Sequence, residues 1–116
     1  MLPKKNRISA KLRIQYVYKK GIRFNTKLFQ FRYLANKIRL NRFAVMLPGK
    51  IGDAGAVGRN KIRRRVHEAI RLGLSTAPVS TAKQTCYDIA VQVHKEAAKA
   101  EYEQMETEIN LFLKKL

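Results

Sequence analysis

The sequence predicts an α+β domain, a two-layer sandwich of helices on a small mixed sheet, and three observations carry that prediction. Residues 62–70 and 98–116 repeat apolar side chains at helical spacing. Phe29, Phe31 and Tyr33 alternate with Gln30 and Arg32 at the two-residue period of a half-buried strand. Residues 87–93, YDIAVQV, are an aliphatic and β-branched run of strand length. The two kinds of run interleave along the chain, as they do where helices pack on one sheet. At 116 residues, 46% of them apolar, the chain suits one domain, residues 1–116, and is too apolar for disorder.

Taken in order, residues 1–8 are basic and predict a flexible arm. Ser9 is placed to cap a helix over 10–20, with Gly21 as its stop. Leu12, Ile14, Val17 and Tyr18 are the apolar positions of that helix. A strand over 28–34, a turn over 35–41 and a second strand over 42–47, closed by Pro48-Gly49, predict a hairpin. Residues 49–58, GKIGDAGAVG, hold four glycines and read as a linker, with a phosphate cradle as the alternative. Neither a Walker loop nor GxGxxG is present. A basic helix follows over 59–74, then a polar stretch and the strand over 87–93. Ala98, Tyr102, Met105, Ile109, Phe112 and Leu116 recur at spacings of 4, 3, 4, 3 and 4, the core-facing stripe of a last helix. The stripe is too short for a coiled-coil seam.

Charge narrows the function. The formal net charge is +17, and it is unevenly spread. Residues 1–95 carry +19, with Asp53, Glu68 and Asp88 as their acids, whereas residues 96–116 carry −2. Self-repulsion of that size implies an acidic partner for the body of the chain and a packing role for its end. Catalysis by the chain alone is poorly served. His67 and His94 have no acid or nucleophile at catalytic spacing, and Glu101, Glu103, Glu106 and Glu108 read as solvated. The single cysteine, Cys86, excludes an intramolecular disulfide and a multi-cysteine zinc site, and its strand context predicts a buried thiol. No apolar run approaches the roughly 20 residues of a membrane span, and no signal-peptide pattern opens the chain, so a cytoplasmic location is expected.

The most informative stretch is 58–71, GRNKIRRRVHEAIR, where six of fourteen residues are Lys or Arg. Ile62, Val66, Ala69 and Ile70 share one helical face, and Asn60, Arg63, Arg64, His67 and Arg71 gather on the other. Solvated helix faces mix charge signs, but here Arg63, Arg64 and Arg65 are consecutive and only Glu68 offsets them. Arginine also favours bidentate phosphate recognition. Nucleic-acid contact is the reading these residues support. Tyr16, Tyr18, Phe24, Phe29, Phe31 and Tyr33 interleave with the charge. Strand alternation sends most of them to the core and leaves one or two as a stacking platform for unpaired bases.

GRNKIRRR behind a KIG loop resembles the "RNR" signature of the bacterial ribonuclease P protein subunit. The opening LPKKNRISAKLRIQYVYKKGIRF is similar to that family's basic arm and first helix, and the resemblance covers nearly the whole chain. It implies an αβββαβα order, a ribosomal-protein-domain-like fold and a left-handed βαβ crossover, against the usual right-handed rule. It implies two partners. One is a large catalytic RNA, which carries the magnesium-dependent chemistry; the other is precursor tRNA, whose 5′ leader the complex removes. In the chain itself no ligand spacing resembles a zinc or two-metal site, and neither a membrane nor a protein partner is expected. Arg59, Asn60, Lys61, Arg63, Arg64, His67, Arg71 and Lys50 would face RNA, and Ile14, Tyr18, Arg32 and Tyr33 would line a leader cleft between the first helix and the sheet. Several positions depart from the family pattern. Lys61 stands for the third signature arginine, Ile14 and Arg32 stand where aromatics are common, and His67 stands where a further basic residue is common. Tyr33 replaces Arg32 in the cleft only if the strand register slips by one. A basic ribosomal-type structural protein is the alternative reading. An autonomous nuclease and a helix-turn-helix protein fit less well.

Overall fold

The computed structural model describes residues 4–37, 40–47, 55–76 and 86–115, with the backbone alone at 55–57 and 75–76. After a 3-10 turn over Lys4–Asn6 come helix α1 (Lys11–Lys20) and strands β1 (Ile22–Asn25), β2 (Phe29–Asn36) and β3 (Arg42–Met46). Helix α2 (Gly55–Thr76), strand β4 (Cys86–Val93), a 3-10 turn over Lys95–Lys99 and helix α3 (Tyr102–Lys115) complete the chain. The four strands form one sheet in the order β1-β2-β4-β3. β1 and β2 are antiparallel, β2 and β4 are antiparallel, and β3 runs parallel to β4, with α2 as the crossover.

This order corrects the predicted hairpin of 28–34 with 42–47. β4 inserts between those two strands and takes both as neighbours. β4 buries more residues than any other strand of the sheet, Ile89, Ala90, Val91 and Val93 among them, so it gains most from the centre of the sheet. The hairpin forms instead between β2 and β1, a strand the residue pattern did not show but the αβββαβα order implied by the resemblance includes. Strand β2 also runs to Asn36, into the predicted turn. At the chain's start, residues 4–8 lie along β3 rather than apart from it. Arg7 bridges Phe43, Ile8 N–H donates to the Phe43 carbonyl at 2.9 Å, and Asn6 Nδ2 donates to the Asn41 carbonyl at 2.9 Å.

Cross-strand partners share a face, so the register sorts every sheet side chain. Phe24, Phe31, Val91 and Val45 form one row, and Ile22, Tyr33, Ile89 and Phe43 the next. Both rows face α2 and α3. There Phe31 stacks on Phe112 at 4.1 Å, and Ile62, Val66, Ala69, Ile70, Met105 and Ile109 close the core. On the opposite face lie Arg23, Arg32, Ala90 and Ala44, flanked by the Gln30–Gln92–Met46 and Leu34–Asp88–Arg42 rows. The two alanines leave room for α1, whose Val17 is fully buried.

Helix ends show where local signals misled. Ala10, not Ser9, is the residue before α1, and it makes no side-chain cap. Gly21 ends α1 in extended backbone, not in the left-handed region. Its value is close approach: a Cβ there would lie 2.5 Å from the Val17 carbonyl oxygen and 3.1 Å from that of Tyr33. α2 starts four residues earlier than predicted, at Gly55, so the last glycines of the loop form its first turn. The last helix begins at Tyr102, and Ala98 belongs to the preceding 3-10 turn. Glu108, expected in solvent, accepts from the Leu28 N–H at 2.8 Å and ties α3 to the β1–β2 connection.

Candidate nucleic-acid interface

The basic array of α2 is two flanks rather than one face. Asn60, Arg63 and His67 follow one another at spacings of three and four and turn toward the arm and β3. On the other side Lys61 and Arg65, and Arg64 and Glu68, are paired at a spacing of four, and all four line a cavity with Tyr102 of α3. Asn60, Lys61 and Arg64 are exposed, and Arg63 and Arg65 are half-buried. Arg59, expected to face RNA, is not on the face of Asn60 and Arg64. It sits three and seven residues before Ile62 and Val66, on their side of the helix, and is half-buried. Arg71 is engaged in a forked ion pair with Glu68. Lys50 lies outside the described residues.

His67 departs furthest from the prediction. Its ring is only 6% exposed, and Nδ1 is buried with no hydrogen-bond partner among the described residues. Burial lowers its pKa, and the charges of Arg7 and Arg63 lower it further, so His67 is neutral at pH 7. It is therefore a buried hydrogen-bonding group, not a surface cation. It lines a groove of about 230 Å³ together with Arg63 of α2, Arg7 and Ile8 of the arm, Ile14 of α1 and residues 43–46 of β3. Ile14 thus lies where the first helix, the arm and the basic helix meet.

The other cleft candidates separate. Tyr18 and Arg32 pack on each other: the guanidinium lies 4.5 Å from the Tyr18 ring centre, and Arg32 Nη1 donates to the Tyr18 carbonyl. The Tyr18 hydroxyl donates to Gln92. Tyr33 is on the far face of the sheet, edge-on to Phe112 at 5.6 Å and to Tyr87 at 5.5 Å. No register slip occurs, since Arg32 pairs with Ala90 and Tyr33 with Ile89. Tyr33 is therefore core, and Arg32 is the β2 side chain on the α1 side.

Sequence reasoning also passed over Asp88. Its carboxylate is fully buried on the α1 side. Arg42 approaches it at 2.8 and 2.9 Å, Arg13 Nε at 2.6 Å and Asn36 Nδ2 at 2.8 Å. Burial pushes its pKa up, but the hydrogen bonds from Arg42, Arg13 and Asn36 outweigh that and hold it below the ordinary carboxylate value. One acid thus anchors α1 to β2, β3 and β4. Its spacing in sequence from Arg13 and Arg42, 75 and 46 residues, left no local signal. Among the described residues, no group of three or more His, Cys, Asp or Glu is placed to hold a metal ion, and no helix is long and apolar enough to cross a membrane.

A compact α+β sheet protein that carries an arginine-rich crossover helix, with Glu68 and Asp88, the described acids before residue 96, already engaged, belongs to the class of small basic nucleic-acid-binding proteins. Comparison narrows the class. The ribonuclease P family pattern matches residues 2–116. The ribonuclease P protein component of Petrotoga mobilis is 31% identical over 117 residues, covering 97% of this chain and 92% of that one. That of Clostridium botulinum strain 657 is 27% identical over 112 residues, covering 97% and 95%. A solved mutant of the Staphylococcus aureus ribonuclease P protein superposes with a TM-score of 0.79 at 28% identity, covering 96% of this chain and 87% of that chain. The chain belongs to the ribonuclease P protein family, the protein component of a tRNA-processing ribonucleoprotein endoribonuclease.

Proposed function

We propose that this chain is the RNA-positioning subunit of its ribonuclease P, binding the catalytic RNA through α2 and the 5′ leader of precursor tRNA along the side of the sheet that carries α1. Bond cleavage and the magnesium ions it needs belong to the RNA. The protein lowers phosphate repulsion, raises substrate affinity and lets the RNA work at lower magnesium. One observation carries this reading. Glu68 and Asp88, the described acids before residue 96, are held by Arg71 and by Arg13 and Arg42, while Lys61, Arg63, Arg64 and Arg65 have no carboxylate partner among the described residues. That uncompensated set needs an external polyanion. The groove between Ile14, Arg63 and His67 supplies apolar walls, cations and one neutral acceptor, which suits a single-stranded segment.

Reconstitution tests it. Purified protein is mixed with ribonuclease P RNA and precursor tRNA at low magnesium. Cleavage at the leader junction is expected only when the RNA is present, and the protein is expected to accelerate it. Hydrolysis of precursor tRNA by the protein alone overturns the assignment of the chemistry to the RNA.

A further inference from the structure

On the α1 side of the sheet one row of side chains reads Gln30, Gln92 and Met46 across β2, β4 and β3. Met46 also lines the groove shared by Ile14, Arg63 and His67, so Gln92 stands one strand, about 4.8 Å, from a groove residue. A carboxamide is ordinarily ambiguous in recognition, because it carries an acceptor and two donors and can turn either toward a ligand. Gln92 is not free to turn. Its Oε1 accepts from the Tyr18 hydroxyl. Tyr18 is itself held: the Arg32 guanidinium lies 4.5 Å from its ring centre, and Arg32 Nη1 donates to its carbonyl. Val17, next to it in α1, is fully buried and fixes that turn of the helix on the sheet. Gln92 is half-buried, and its Nε2 has no hydrogen-bond partner among the described residues. The amide therefore offers donors alone. Gln30, opposite it on β2, has no hydrogen bond fixing its amide among the described residues and keeps both choices.

We infer that Gln92 is a specificity-determining residue for the leader: Tyr18 ties up its acceptor, and the donor edge left over selects a base with an exocyclic keto oxygen, guanine or uracil. The inference rests on the leader assignment proposed above. Adenine is the usual partner of a free glutamine, which uses its acceptor and its donor together on the amino group and the adjacent ring nitrogen. Here the Tyr18 hydroxyl occupies the acceptor. The amino group of adenine or cytosine meets no acceptor on Gln92 and loses a hydrogen bond that it made to water. Guanine O6 and uracil O4 need only a donor. Arg32, on the same face, carries donors as well and supplies no acceptor in place of the one taken.

The test uses the holoenzyme, assembled from the full chain and ribonuclease P RNA, on a pool of precursor tRNAs randomised through the leader. Sequencing cleaved and uncleaved molecules gives the relative kcat/KM for each base at each position. One leader position is expected to favour G and U over A and C by about fivefold, the usual effect of one hydrogen bond, and ribonuclease P RNA alone is expected to lack that preference. In Gln92→Glu the order at that position is expected to reverse, because a carboxylate offers an acceptor where the amide offered donors. The comparison is internal to each pool, so the added negative charge, which weakens all leaders alike, leaves it unaffected. Tyr18→Phe keeps the ring and releases the amide, and adenine is expected to rise to the level of guanine or above it. That variant carries the test should Gln92→Glu not fold. A parent without the keto preference, or Gln92→Glu retaining it, overturns the inference. Adenine staying disfavoured in Tyr18→Phe overturns the part given to the hydroxyl. Affinity for precursor tRNA with a long leader and with a single-nucleotide leader is measured alongside, and the long one is expected to bind more tightly. Equal affinity overturns the leader assignment and this inference with it, whereas a leader that is bound but read without base preference overturns this inference alone.

Discussion

Among the individual side chains, His67 has the most distinctive balance of forces. A surface histidine on a basic helix would gain charge as pH falls and add to phosphate binding. Here burial first, then Arg7 and Arg63, penalise the imidazolium. The folded pKa is therefore below the unfolded value of about 6.5. The unfolded chain then takes up the proton first, so stability is full above that value and is lost as pH falls through it toward the folded pKa. Urea midpoints measured at pH 7.5 and pH 5.5 are expected to drop more for the parent than for His67→Leu. An identical drop in both would show that the ring titrates as an exposed group.

Among the elements, α1 depends on a single carboxylate. Its outer side keeps Leu12 80% exposed, and Val17 is its one fully buried side chain, so apolar packing alone holds it weakly. The Asp88 junction supplies the rest by joining Arg13 of α1 to Arg42 of β3 and Asn36 of β2. Asp88→Ala leaves two arginines facing each other across the sheet without their counter-ion. Loss of about 3 kcal/mol is expected, at the lower end of the cost of breaking a buried pair, because both arginines keep partial access to water. Chemical denaturation measures it, and a change under about 1 kcal/mol would mean that the pair behaves as a surface salt bridge. Gly21 completes the junction: α1 ends against the Tyr33 backbone at a distance that leaves no space for a side chain.

For the whole molecule, electrostatics sets the binding behaviour. If RNA association neutralises about six to ten phosphates, affinity falls by several orders of magnitude between about 50 and 200 mM salt. Replacing Arg63 and Arg64 together by Ala is expected to reduce the logarithmic salt slope by nearly two and to leave the unfolding midpoint within about 1 kcal/mol of the parent. Filter binding across a salt series measures the first and urea denaturation the second. Arg59→Ala is a different kind of change, because Arg59 stands on the Ile62 and Val66 side of the helix.

Periodicity by itself determined the fold class, the helical nature of α1, α2 and α3, and the strand nature of β2, β3 and β4, because those signals are local and repeat within one element. It also determined that Ile62, Val66, Ala69, Ile70, Met105, Ile109 and Phe112 are core, and all are buried. Strand order was beyond it. Whether β3 pairs with β2 or with β4 depends on which strand gains most from central burial, and that competition involves residues more than forty positions apart. The split of the basic helix into two flanks, the burial of His67 and the partners of Asp88 were likewise decided only in three dimensions. A helical period says which side chains share a face, but the neighbours packed beside that face determine which cations stay in water, which ring loses it and which carboxylate becomes a junction.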